Sequence, residues 1–113
     1  MTMNNKPICE TDKYGTKCWY LNGKLHREGG PAVKDTDGTK EWYLNGELHR
    51  EDGPAVEYAD GYKAWYLNGK YHREDGPAVE YADGTKFWYV GGKPIEVSDN
   101  DQFLRMIRLK AFW

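Results

Sequence analysis

Apolar residues in this chain come in short bursts separated by turn-forming pairs, a spacing suited to strands rather than to buried helices. One burst, Trp-Tyr-Leu, is followed by Asn-Gly, then His-Arg-Glu, then Gly-Pro and Ala-Val. This order runs from Trp19, returns from Trp42 and Trp65, and starts again at Trp88, 23 residues further on each time. Repetition at a fixed spacing has to be settled before any motif inside it is interpreted. Asn22-Gly23, Asn45-Gly46 and Asn68-Gly69 can supply the two positive φ angles of a tight hairpin turn, and Gly91-Gly92 serves the same need. A second set of turns is expected at Asp37-Gly38, Asp60-Gly61 and Asp83-Gly84, with Tyr14-Gly15 as a degenerate copy. Gly30-Pro31, Gly53-Pro54 and Gly76-Pro77 interrupt the ladder, because proline donates no backbone N–H. The pattern predicts an all-β repeat, a twisted antiparallel β-hairpin meander, with few or no helices through residue 95.

Two-residue turns would place Leu44 opposite Glu47, Tyr43 opposite Leu48, Trp42 opposite His49, Glu41 opposite Arg50, Lys40 opposite Glu51, Val33 opposite Trp42 and Lys34 opposite Glu41. Cross-strand partners share a face. One face would then collect Val33, Trp42 and His49 as the main core, and the other Tyr43, Leu48 and the Lys34, Glu41, Arg50 row. A one-residue change in turn length exchanges these faces.

The end of the chain departs from the pattern. In "VSDNDQFLRMIRLKAFW", Ser98 or Asp99 can cap a helix whose first turn holds Asp101, and Phe103, Met106, Ile107 and Lys110 recur at three and four residues. A short amphipathic helix folding over the last hairpin is expected, because a repeat array otherwise ends in an open edge. Trp113 is expected beneath that helix or at a subunit contact. The organisation is thus a leader or edge strand over 1–12, repeats over 13–95 with units starting near 13, 36, 59 and 82, and a helical cap over 96–113.

Composition adds constraints. The 113 residues suit one domain. Sixteen Lys and Arg against 18 Asp and Glu leave a charge of -2, which offers no field for nucleic acid or anionic lipid, so neither is expected as a partner. The apolar content is concentrated in five Trp and nine Tyr, residues that favour strands. Cys9 and Cys18 have no metal-ligand partners in the sequence, and no long apolar run is present. A cytoplasmic protein with free thiols is expected, with a single disulfide left open.

The "YADGTKFWY" strand-turn-strand, the "WYLNGK" turn and the glycines that follow resemble MORN (membrane occupation and recognition nexus) repeats over about residues 13 to 95. The wording W-Y-x-N-G-x-x-H-R-E-D-G-P-A is similar to divergent MORN-like repeats of bacteriophage and giant-virus proteins. The resemblance implies a twisted run of hairpins serving as a scaffold or interaction module, and a viral source. The glycine that follows the strand aromatic in MORN repeats is replaced by Leu after Tyr20, Tyr43 and Tyr66, so lipid binding is not carried over.

The triplets His26-Arg27-Glu28, His49-Arg50-Glu51 and His72-Arg73-Glu74 invite a chemical reading. Successive His on strands about 4.8 Å apart would lie roughly 10 to 14 Å from one another, too far to share a zinc ion, whose ligands each sit about 2.1 Å from the metal. Nothing marks one copy as a singular catalytic pocket, so no enzyme, metal or cofactor is expected. Trp19, Trp42, Trp65, Trp88, His26, His49 and His72 are read as repeat core. Tyr20, Tyr43 and Tyr66 with Arg27, Arg50 and Arg73 are read as a candidate binding stripe, since these residue types dominate interaction hot spots. A host protein, in a defence-related setting, is the expected partner. The alternative is a homo-oligomeric sponge for a nucleotide-type signal, with rings stacking on the base and Arg holding phosphate; a hydrolase has the least support.

Overall fold

A computed structural model describes residues 6–109 of the chain. Its strands are short: β1 (Ile8–Thr11), β2 (Lys17–Leu21), β3 (Lys24–Leu25), β4 (Val33–Lys34), β5 (Lys40–Glu41), β6 (Tyr43–Leu44) and β7 (Glu47–Leu48), followed by β8 (Val56–Glu57), β9 (Lys63–Ala64), β10 (Tyr66–Leu67), β11 (Lys70–Tyr71), β12 (Val79–Glu80), β13 (Lys86–Val90) and β14 (Lys93–Ile95). One helix, α1 (Asn100–Leu109), closes the described chain. The protein is an antiparallel hairpin sheet measuring 51 × 36 × 17 Å, so its thickness is that of one sheet with side chains on both faces.

Two rows of hairpins run side by side. The main row has the order β1-β2-β4-β5-β8-β9-β12-β13-β14, with each neighbouring pair antiparallel. The second row consists of the hairpins β2-β3, β6-β7, β10-β11 and β13-β14. The expected Asn-Gly turns make them: Asn22, Asn45 and Asn68 have φ of 53°, 51° and 51°, the left-handed values a tight hairpin requires. Adjacent hairpins of this row are joined through their backbones, Arg27 N–H donating to the Tyr43 carbonyl at 3.1 Å and Gly46 N–H to the Leu25 carbonyl at 2.8 Å. The equivalent bonds recur at Arg50 and Gly69 and at Arg73 and Gly92.

The Asp-Gly turns differ from expectation, and the faces follow. Asp35 N–H donates to the Thr39 carbonyl at 2.9 Å, leaving a three-residue connection in which Gly38 has a φ of 99°. This geometry, a type I turn closed by a left-handed glycine, shifts the pairing by one residue. Val33 therefore stands opposite Glu41 rather than Trp42, and Lys34 opposite Lys40 rather than Glu41. The expected Glu41–Arg50 and Lys40–Glu51 pairs do not form either. Beyond Trp42 the strand leaves its hairpin for the main row, where Glu41 pairs with Val56 and Lys40 with Glu57. Within the hairpin the expected Tyr43–Leu48 and Leu44–Glu47 pairs form, and His49 N–H donates to the Trp42 carbonyl at 3.0 Å.

The main core, expected on the Trp face, is consequently shared between both sides of the sheet. Val33, Val56, Ala64 and Val79 align across β4, β8, β9 and β12 on one face. Ala32, Ala55 and Ala78 precede the valines and by strand alternation face the other way, towards the Trp residues; all three are fully buried. Small residues here let flat rings lie on the sheet from both sides. Trp88 is buried at 7% exposure, whereas Trp19, Trp42 and Trp65 are half-buried.

At its start the sheet ends in β1, which pairs with β2 as an edge strand. At the other end Asp99 caps α1, its carboxylate accepting the Gln102 N–H at 2.8 Å, and Gln102 Oε1 in turn accepts the Ser98 N–H at 2.8 Å. Phe103 of α1 is fully buried, with its ring 6.4 Å from that of Trp88. The Trp88 Nε1–H donates to Asn100 Oδ1 at 3.1 Å. The expected roles of Lys110 and Trp113 lie outside the described residues. Cys9 and Cys18 are free; Cys9 stands opposite Trp19 and Cys18 opposite Glu10, so adjacent positions carry the two thiols to opposite faces.

Candidate functional site

On the Trp face the three arginines turn to the tryptophans. The guanidinium carbons of Arg27, Arg50 and Arg73 each lie 3.8 Å from the ring centroid of Trp19, Trp42 and Trp65 respectively. Arg50 also donates from Nη1 to the Pro54 carbonyl at 3.0 Å and to Glu57 Oε2 at 2.8 Å, and from Nε to Asp52 Oδ1 at 3.1 Å. Arg73 makes the same set with Pro77, Glu80 and Asp75. In the first copy Gly29 and Lys34 stand where these acids would be, and Arg27 keeps the Pro31 carbonyl at 3.2 Å. The expected stripe of Tyr and Arg on one face is therefore not formed. Past the His each Arg leaves the hairpin ladder, bonds through its N–H to the next hairpin and lies with Trp, its guanidinium committed to the chain's own groups.

The histidines join one hairpin to the next. Nδ1 of His26, His49 and His72 accepts the backbone N–H of Asn45, Asn68 and Gly91 at 2.9, 3.0 and 2.9 Å. A ring that accepts at Nδ1 carries its proton on Nε2. Nε2 of His72 faces Glu74 Oε2 at 3.0 Å, and that of His49 lies 3.9 Å from Glu51 Oε2. Each ring thus fixes the turn of the following hairpin. Among the described residues no group of three His, Cys, Asp or Glu is placed to hold a metal ion.

The opposite face carries tyrosines. Tyr58 and Tyr62 face each other across the β8-β9 turn with centroids 5.1 Å apart, and Tyr81 meets Tyr62 edge-on at 5.2 Å. Tyr71 lies 4.6 Å from Tyr66 and 4.8 Å from Tyr89. Phe87 stands beside Tyr81 at 6.0 Å. Of the expected stripe, Tyr66 belongs to this layer, while Tyr43 donates to Glu41 Oε1 at 3.1 Å and Tyr20 pairs with Leu25 on β3. Tyr58, Tyr81 and Phe87 keep 45%, 46% and 47% of their surface exposed, so together they leave an open aromatic patch on this face.

Tyr66 and Tyr89 hold the repeated Trp-Tyr position and Tyr81 repeats Tyr58, but Tyr62, Ala64 and Tyr71 belong to one copy alone. Tyr62 stands where the neighbouring copies have Thr39 and Thr85, Ala64 where they have Glu41 and Phe87, and Tyr71 where they have Leu48 and Pro94. Tyr58 replaces Asp35, which in the earlier copy accepts the Thr16 hydroxyl at 2.6 Å. Two successive copies, at Tyr58 and Tyr81, thus exchange a polar turn base for an aromatic one, and the first of them adds Tyr62 and the small Ala64. Reading the copies column by column would have exposed this departure, whereas reading them for what they share hides it.

Burial raises several of these phenols. Burial first, then the Glu41 carboxylate, pushes Tyr43 up to about 12. Tyr62 and Tyr66 are raised further, again by burial first and then by the neighbouring Tyr71 hydroxyl. A folded pKa above the unfolded value of about 10 means the stabilisation is complete below that pH and is lost as pH rises through the folded value. The urea midpoint is accordingly expected to hold steady up to about pH 9.5 and to fall steeply between about pH 10 and 12. Phenolate absorbance should show one tyrosine class ionising only with unfolding. A single titration near pH 10 with an unchanged midpoint would contradict the packed layer.

Among the described residues no helix is long and apolar enough to cross a membrane. No family model, no curated protein and no solved structure matches this chain.

Proposed function

We propose that the protein is a MORN-like repeat array that acts as a non-enzymatic interaction module, engaging a host protein through the tyrosine face around Tyr58, Tyr62 and Tyr81. The 23-residue spacing of the Trp residues and the MORN-like wording of the strands support the repeat reading. The observation that carries the binding reading is the single aromatic cluster. It forms where the Tyr58 and Tyr81 turns of successive units adjoin Tyr62, stays partly exposed, and rests on a buttress of Tyr71 and Ala64. A viral source is consistent with the resemblance of the repeats. The nucleotide-sponge alternative draws no support from Arg50 and Arg73, whose guanidinium groups already face carboxylates.

The reading is tested by paired capture from host-cell extract, with the wild-type chain and a Tyr58→Ala/Tyr81→Ala variant whose fold is checked by circular dichroism. A discrete protein held by the wild type should be lost by the variant. Capture of the same proteins by both would reject the tyrosine face as the docking surface.

A further inference from the structure

Tyr58, Tyr62 and Tyr81 line a shallow depression of about 580 Å³ together with Asp60, Ala82 and Asp83. The two aspartates sit on adjoining turns, which pack closely enough that a Cβ at Gly61 would lie 3.7 Å from the Ala82 methyl. Each carboxylate uses Oδ1 to accept a backbone N–H of its own turn, Asp60 from Tyr62 and Asp83 from Thr85, both at 2.9 Å. The Thr85 N–H holds the Asp83 carboxyl below the usual carboxylate range, so it is charged at neutral pH. Among the described residues no Arg or Lys lines the depression. Aromatic faces with negative quadrupoles therefore meet negative charge on a chain that is already acidic overall.

The chain itself shows what such a set of groups holds. Arg50 rests on the Trp42 ring between the carboxylates of Asp52 and Glu57, and Arg73 on Trp65 between Asp75 and Glu80. An aromatic face with two carboxylates is this protein's own way of holding a guanidinium. We infer that the Tyr58–Tyr62–Tyr81 depression, with Asp60 and Asp83, receives an arginine side chain from a basic segment of the protein partner. The inference rests on the interaction reading above and specifies its chemistry. A planar guanidinium suits the site better than an ammonium, since it stacks on a ring while its fork reaches the flanking carboxylates. Phosphate is disfavoured by the same two charges.

Binding of a labelled oligoarginine peptide, followed by fluorescence anisotropy, tests it, with oligolysine as comparison. Asp60→Asn/Asp83→Asn keeps an oxygen to accept each turn N–H while removing the charge. It should weaken oligoarginine binding by about tenfold, as should Tyr58→Ala/Tyr81→Ala. Glu51→Gln/Glu74→Gln, which removes equal charge from the opposite face, should change it little, and oligolysine should bind more weakly than oligoarginine. Equal losses from both acidic pairs would mean non-specific attraction and would overturn the inference, as would unaltered binding by the Asp60/Asp83 variant. If that variant binds oligoarginine normally while the Tyr58/Tyr81 variant still loses its host partner, the guanidinium site fails and the interaction reading stands. If the Tyr58/Tyr81 variant keeps its partner, the interaction reading fails as well.

Discussion

Replacing Arg50 with alanine is expected to destabilise the fold by about 2 kcal/mol and to lower the melting temperature by roughly 10 °C. The side chain is 22% exposed and makes several kinds of contact at once: stacking on Trp42, a bond to the Pro54 carbonyl and an ion pair with Glu57. A solvent-facing ion pair alone would contribute at most about 1 kcal/mol, so most of the loss comes from uncovering the ring and leaving the carbonyl without its charged donor. Arg27→Ala should cost somewhat less, about 1.5 kcal/mol, because Arg27 has its Trp and its proline carbonyl but not the two acids. Arg50→Lys should recover less than half of the loss, since an ammonium cannot stack flat and reach both partners. Urea denaturation of the three variants checks this. A loss below about 0.5 kcal/mol for Arg50→Ala would show the guanidinium to be a passive surface group.

That arginine also explains the "REDGPA" wording. A Cβ at Gly53 would come within 2.9 Å of the Arg50 guanidinium carbon, and one at Gly76 within 2.8 Å of that of Arg73. The glycine before each proline is therefore clearance for a side chain three residues earlier, a reason no local propensity expresses. The turn chemistry, by contrast, was legible. Asn-Gly states its own dihedrals, and the hairpins of the second row formed where the pairs predicted them. Asp-Gly was ambiguous, because the same dipeptide can close a two-residue or a three-residue connection, and the difference of one residue decided which face each side chain took. The pairing of Tyr58 with Tyr62 follows from that single residue, whereas the Trp and Arg partnership follows from the strand leaving its hairpin at Trp42, so that Arg50 bonds through its N–H to the next hairpin. The tyrosine site was hidden for a further reason. Tyr58 and Tyr62 are neighbours only if the turn has three residues, and Tyr71 reaches them from the other row of hairpins.

Phe103→Ala should cost more than the loss of Arg50, about 3 to 4 kcal/mol. Phe103 is the largest fully buried side chain among the described residues, and it fills a role the repeat itself abandons. Trp19, Trp42 and Trp65 are each covered by an arginine, but the fourth unit has Ile95 and Glu96 where His and Arg would stand. Helix α1 covers Trp88 instead, with Phe103 against the indole and Asn100 on its Nε1–H, and Trp88 is accordingly more buried than the other three. Removing the ring leaves both a cavity and a ten-residue helix, too short to persist unaided, with little to hold it. Amide exchange should then accelerate throughout Asn100–Leu109, extend into β13 and β14, and leave β4 and β5 the least affected, because in a linear array the end unit loosens first. Leu109→Ala, at a side chain 77% exposed, should change neither stability nor exchange. A Phe103→Ala protein that loses less than about 1 kcal/mol, or whose helix exchanges as slowly as the wild type, would show that α1 is held by something other than its contact with Trp88.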